Sequence, residues 1–329
     1  MLELVHKEYK GLDIMKFVMA IVVVAIHTRP EMSFNSSLAR QIFEAIYSLA
    51  VPFFFIASGF LLFRKISLPL TEEGEQRIKS YLSRMCRLYL VWTIIYLPLT
   101  IYGFYLDGLS PVKAGVVFLR NILLVGENYM SWPLWYLLAL IVAIGIIYVL
   151  LKLNVTQKWI VVCGILTALV GLGLDYCREN AYLQPITDLY FAIFVKTRNG
   201  FFEGFLFVAL GMLCSNLKRI SSSALVTLLF VGILGMLYQV PLSKSMVVCA
   251  IFGAALCVKA SGVSNEVSAK LRNVSTIVYF THMLFISPII MLDLTTEGFI
   301  LFAISIVLSV LLGFCFFSWS KERFYTILF

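Results

Sequence analysis

The chain has 329 residues, 61% of them hydrophobic and only 13% charged, with a formal net charge of +8 and a mean hydropathy of +0.94. A soluble protein carries about twice that charged fraction, roughly 25%, so a water-soluble globular domain is excluded. Apolar runs recur from end to end and are too long and continuous for the alternating strands of a membrane barrel. An all-α polytopic membrane protein remains, its backbone groups paired within each helix.

In chain order, ten spans are predicted, at 12–31, 41–63, 87–106, 134–151, 159–174, 200–214, 222–239, 244–259, 274–293 and 298–319. Several are shorter than the ~20 residues a bilayer usually requires. The first run lacks a small-residue cleavage site and carries Lys16 and His27, so it is expected to be a retained helix and not a signal peptide. Between the fifth and sixth spans, AYLQPITDLYFAIFVKTR (181–198) is too polar and Pro-broken to cross, and reads as a re-entrant or interfacial piece.

Charge tests this order. One side of the membrane collects Lys7, Lys10, six basic residues in the 64–87 loop, Lys152, Lys158, Lys218, Arg219, Lys259, Lys270, Arg272, Lys321 and Arg323. The other holds Arg29, Arg40, Lys113, Arg120, Arg178, Lys196, Arg198 and Lys244. With Lys16 set aside as intramembrane, the split is 17 to 8, which puts both termini in the cytoplasm. This bias accounts for most of the net charge without a nucleic-acid partner, although the 64–87 loop could also hold an anionic ligand. The seven cysteines show no paired spacing and read as small hydrophobes.

Lys16 and His27 stand eleven residues apart on the first span. Eleven steps of ~100° come within about 20° of three full turns, so both side chains share one stripe roughly 16 Å long. Titratable groups are expensive in a membrane, and such a stripe suggests a polar tunnel.

Several motifs then line up. The first span reads LDIMK-x10-H, with Leu12, Asp13, Lys16 and His27; the second contains VPFFFIASGF, with Val51, Pro52, Phe53, Phe54, Ser58, Gly59 and Phe60. Arg84 and Arg87 form R-x-x-R before the third span, LWYL at 134–137 opens the fourth, and Ser275, Tyr279 and His282 form S-x-x-x-Y-x-x-H in a late helix. In this order and over the whole chain, the sequence resembles the acyltransferase 3 family of integral membrane acyltransferases. Two positions depart from the family pattern. Lysine replaces the commoner arginine at 16, and the proline usual after R-x-x-R is missing from RLYLVW. The chain also looks like the membrane half of the serine racemases of glycopeptide resistance.

Acyl transfer to a hydroxyl needs a base near the acceptor oxygen, and histidine suits the task. His27 is the expected base, against a helix-packing role. Lys16 would hold the phosphate or thioester end of a donor as a point charge, or else snorkel to the headgroups. His282 would orient His27, bond the acyl carbonyl, or form a structural clasp with Ser275 and Tyr279 on its face. Ser58 reads as packing or tunnel lining more than as a nucleophile, since no elbow motif surrounds it. Arg84 and Arg87 could clamp coenzyme A phosphates or anchor to anionic lipid. Glu203 is a carboxylate near lipid depth, read as fixing His27 or Lys16 or pairing with Arg198. Trp135 and Tyr136 read as interfacial belt residues first and substrate-stacking residues second, and Asp13 as the N-cap of the first helix. No Walker loop, zinc spacing, dinucleotide fingerprint or glycosidase-like carboxylate pair is present, so no metal or resident cofactor is expected.

The resemblance implies one transmembrane domain over 1–329, a cell-membrane location, an acyl-coenzyme A donor (acetyl in many cases) and a cell-envelope glycan or related hydroxyl acceptor. The rival expectation is a serine-type amino-acid transporter using the same polar stripe. A fused racemase would favour transport; none follows the last span, which inclines the expectation to the enzyme. No feature of the sequence sets an oligomeric state.

Overall fold

The computed structural model of the chain describes residues 2–3, 9–217, 219–258 and 260–319. Five of the counted charges, Lys7, Lys218, Lys259, Lys321 and Arg323, lie outside the described residues. The helices are α1 (Lys10–Thr28), α2 (Ser37–Phe63), α3 (Glu72–Leu106), α4 (Pro111–Arg120), α5 (Trp135–Lys152) and α6 (Gln157–Glu179). They are followed by α7 (Gln184–Phe194), α8 (Glu203–Ser215), α9 (Ser222–Leu237), α10 (Ser243–Cys257), α11 (Asn265–Met291) and α12 (Phe299–Trp319). A minimal antiparallel pair, β1 (Leu2–Glu3) with β2 (Arg219–Ile220), is the one addition to an all-α plan among the described residues.

Six helices, α1, α2, α3, α5, α6 and α11, are long and apolar enough to cross a membrane, and α8, α9, α10 and α12 are shorter apolar helices. Each expected span falls on one of these. α9 turns Val226, Phe230, Ile233 and Leu237 outward along one exposed stripe, a face suited to lipid. The chain is a multi-pass, all-α membrane protein.

Between the spans, one detail departs from the sequence reading and two refine it. The supposed 64–87 loop is mostly helix: α3 begins at Glu72, where the Thr71 hydroxyl accepts from Gly74 N–H at 3.2 Å and three glutamates in the first turn suit the helix dipole. Within 181–198 lies α7, whose 11 residues rise only ~16 Å, about half a bilayer core. The amphipathic α4 buries none of its residues and has too few to span.

By contacts the chain divides into two compact units, one of Met1–Phe54 with Leu217–Phe329 and one of Phe55–Asn216. In the first, α1 packs on α10, α11 and α12. Ala20 and Val24 meet Val274 and Val278, with Phe17, Phe54, Phe302, Ile306 and Val310 around them. Asp13 does not cap α1, because the helix starts three residues earlier, after Tyr9. Its buried carboxylate instead accepts from Ser268 Oγ at 2.8 Å and Arg272 Nη1 at 3.3 Å, tying α1 to α11. At the other end, Gly298 N–H donates to Thr28 O at 2.6 Å and Phe299 N–H to Ser33 Oγ at 2.8 Å. Gly298 has φ +115, a conformation that disfavours any side chain.

In the second unit α8 packs on α5 and α6, and α3 on α5. Gly59 of α2 faces the Val208 carbonyl of α8, and Gly211 of α8 faces the Ile56 carbonyl of α2; a Cβ at either would collide with backbone. Small residues let helices approach this closely, which explains Gly59 in the SGF run. Near the start of α3, Glu75 accepts from Tyr148 Oη at 2.7 Å and pairs with Lys152 at 2.8 Å and Lys79 at 2.6 Å, joining α3 to α5. None of the seven cysteines is in a disulfide.

Candidate functional site

In the first unit, His27 lies half-buried in the last turn of α1 and His282 fully buried in α11. Their ring centroids are 5.3 Å apart and the planes tilted by 31°. The α1–α11 packing that brings them together rests on the small and β-branched residues of the core just described. Because α1 is continuous from Lys10 to Thr28, Lys16, also half-buried, keeps to the His27 stripe.

His282 Nδ1 lies 3.0 Å from the Val278 carbonyl oxygen, one turn back on α11. A carbonyl can only accept, so in the neutral ring the proton sits on Nδ1 and Nε2 presents a lone pair. That Nε2 is buried and has no hydrogen-bond partner. A neutral His282 therefore accepts, and cannot donate to an acyl carbonyl from Nε2. The other residues of its motif also make contacts within this unit. Ser275 Oγ donates to its own helix at Arg272 O, 2.6 Å away, and the Tyr279 ring packs edge-on against Phe54 at 5.8 Å and His282 at 6.4 Å.

The second unit gathers a different set. Ser58 Oγ is 2.8 Å from Tyr136 Oη. Tyr136 is buried, with its ring 4.7 Å from that of Phe55. It is therefore a packed, hydrogen-bonded residue and not an interfacial belt tyrosine. A cleft of about 620 Å³ lies beside this group, lined by Leu61 and Leu62 at the end of α2, by Lys65 just after it, and by Glu73, Gln76, Arg77, Ser80, Tyr81 and Arg84 of α3. Arg84 sits 5.7 Å from the Tyr81 ring, and Arg77 is held by Glu73 at 2.7 Å. Arg87, exposed, is one turn further along α3 and outside that lining.

The remaining expected residues stand at the ends of helices. Glu203 is the first residue of α8, where the helix dipole favours a carboxylate. Trp135 opens α5, with its ring 6.0 Å from Phe55 and Lys196 Nζ 5.5 Å from its centroid. Lys196 pairs with Glu127 at 2.6 Å, yet burial outweighs that carboxylate and, with Arg198 nearby, holds its ammonium pKa below the ordinary lysine value. Arg198 itself is exposed, in the connection between α7 and α8. Sequence reasoning took Lys65 and Arg77 only as part of a basic 64–87 loop able to hold an anionic ligand, and passed over Tyr81. Tyr81 sits three residues before Arg84, a spacing that shares a face only once 72–87 is read as helix.

The class these features define is a multi-pass helical membrane protein with two imidazoles meeting among its apolar helices. Residues 9–319 match the profile of the family described as "Acyltransferase domain", and the chain belongs to that acyltransferase 3 family. Among curated proteins it is similar to an "Amino-acid racemase" of Enterococcus faecalis, 31% identical over 70% of this chain and 32% of the relative. It is also similar to a "Serine/alanine racemase" of Enterococcus gallinarum, 31% identical over the same shares of each. The chain thus spans about a third of the length of these relatives. No solved structure matches it.

Proposed function

We propose that the protein is an O-acyltransferase of the cell membrane, with ten spans, both termini cytoplasmic and a single acyltransferase domain over 1–329. It moves an acyl group, acetyl in the simplest case, from cytoplasmic acyl-coenzyme A to a hydroxyl of a cell-envelope glycan or related acceptor. The observation that carries this reading is the His27–His282 pair, 5.3 Å apart in a chain of this family. His27 removes the acceptor's proton as the thioester carbonyl is attacked, and the thiol of coenzyme A leaves. Lys65, Arg77 and Arg84 around the 620 Å³ cleft suit the donor's phosphates, for which guanidinium forks are well shaped.

The test uses purified protein in liposomes, with labelled acetyl-coenzyme A inside and candidate glycans outside. Label should reach glycan with the wild type and not with His27→Ala. Uptake of serine with no acyl transfer would overturn the proposal. The second reading, a transporter for a serine-type amino acid, rests on the likeness to racemases that act on amino acids, serine among them.

A further inference from the structure

We infer that His282 is a specificity-determining residue: its Nε2 accepts a hydrogen bond from a second O–H or N–H of the acceptor, next to the hydroxyl that His27 deprotonates. The acceptor class is then a molecule with two neighbouring donors, a vicinal diol or a β-amino alcohol, in preference to a simple alcohol. The inference rests on the acyl-transfer reading for its choice of ligand, and on the geometry of His282 for the rest.

A fully buried ring nitrogen without a partner costs roughly what a lost hydrogen bond costs, and native proteins rarely leave one unmet. Here the Val278 carbonyl fixes the proton on Nδ1, so the unmet atom is an acceptor and its missing partner must be a donor. Carboxylates, phosphates and acyl carbonyls are ruled out as partners for the neutral ring. His27 is adjacent without being that partner, since Nε2 has none. With the two ring centroids 5.3 Å apart and about 2.8 Å of reach in each hydrogen bond, donors on adjacent carbons can address one imidazole each. The same unit leaves Ser245 Oγ of α10 and Ser305 and Ser309 Oγ of α12 buried without partners. Its interior thus holds more hydrogen-bonding capacity than its own side chains use.

The chain has only three histidines, so ¹⁵N-histidine labelling of the full protein in nanodiscs gives three imidazoles, and His282 is assigned by the signal lost in His282→Gln. In the unliganded protein its Nδ1 should be protonated and its Nε2 bare. Adding trans-cyclohexane-1,2-diol or methyl glucopyranoside should shift the Nε2 signal, whereas cyclohexanol should not. In acyl transfer, the preference in kcat/KM for diol over matched mono-ol should fall about ten- to a hundredfold in His282→Phe and recover in part in His282→Gln, whose amide oxygen also accepts.

A proton on Nε2 in the resting protein, or equal shifts with diol and mono-ol as expected of a bound water, would overturn the inference. So would an unchanged diol preference in His282→Phe. A diol-selective shift with no transfer to any acceptor would overturn the acyl-transfer reading while supporting donor recognition by His282.

Discussion

The two units differ in where buried polar atoms are left unmet. In the unit of Phe55–Asn216 the half-buried polar groups are matched: Glu75 takes three donors, Ser58 bonds Tyr136, and Lys196 has Glu127 and the Trp135 ring. Gln157 Nε2 is the exception there among the described residues. Among its described residues the other unit holds four unmet atoms, His282 Nε2 included, on α10, α11 and α12. A closed network stabilises a fold, whereas an open one is stabilised by what enters it. The unmet His282 Nε2 is what supports the proposed recognition at the imidazole pair, while the second unit carries a cleft lined by Lys65, Arg77 and Arg84.

The sharpest way to break the contrast is His27→Ala, which should lower acyl transfer by about 10²- to 10⁴-fold, the usual worth of a general base, while leaving thermal unfolding nearly unchanged. Equal loss of both would make His27 a packing residue. Next comes Gly59→Leu, which forces a side chain into the Val208 carbonyl and should cost about 1–3 kcal/mol, seen as a lower unfolding temperature in detergent; an unchanged temperature would mean that α2 and α8 do not need this approach. Arg84→Gln should raise the KM for acyl-coenzyme A about tenfold, the scale of one charge-assisted contact near a surface, with kcat little altered. A fall in kcat alone would take Arg84 out of ground-state donor binding.

The smallest expected effect concerns Lys196. Its lowered pKa means that the unfolded chain binds more protons between the folded value and the ordinary lysine value. Stability should therefore rise with pH across that window, and the rise should vanish in Lys196→Met. In NMR titration of the methylated protein, Lys196 should lose its proton before the exposed lysines. Titration along with them would show that burial does not outweigh Glu127.

Much of this was legible in the sequence, because lipid leaves the chain few choices. Continuous apolar runs marked helices in all ten expected segments, and the Lys16–His27 spacing survives because α1 is uninterrupted. Other features depended on partners far away in sequence. Asp13 looked like a cap since it precedes an apolar run, but its partners, Ser268 and Arg272, lie some 255 residues on. Tyr136 looked interfacial since it opens a span, and only its contact with Ser58, 78 positions earlier, reveals otherwise. The charged stretch 64–87 hid a helix, because its polarity argued for a loop while Thr71 and the glutamates after it signalled a helix start.

The ties at both ends of α1 carry a consequence for how such chains can change. Asp13 is fastened to Ser268 and Arg272 at one end, and Thr28 O to Gly298 at the other, so an added residue has no slack in which to hide. One residue inserted between Lys16 and His27 would turn the imidazole by about 100° and carry it ~1.5 Å along the axis, away from its partner ring. Single insertions in this stretch should be inherited far less readily than substitutions of the same residues. The ten-residue gap is a length standard, kept by anchors at the two ends of the helix that carries it.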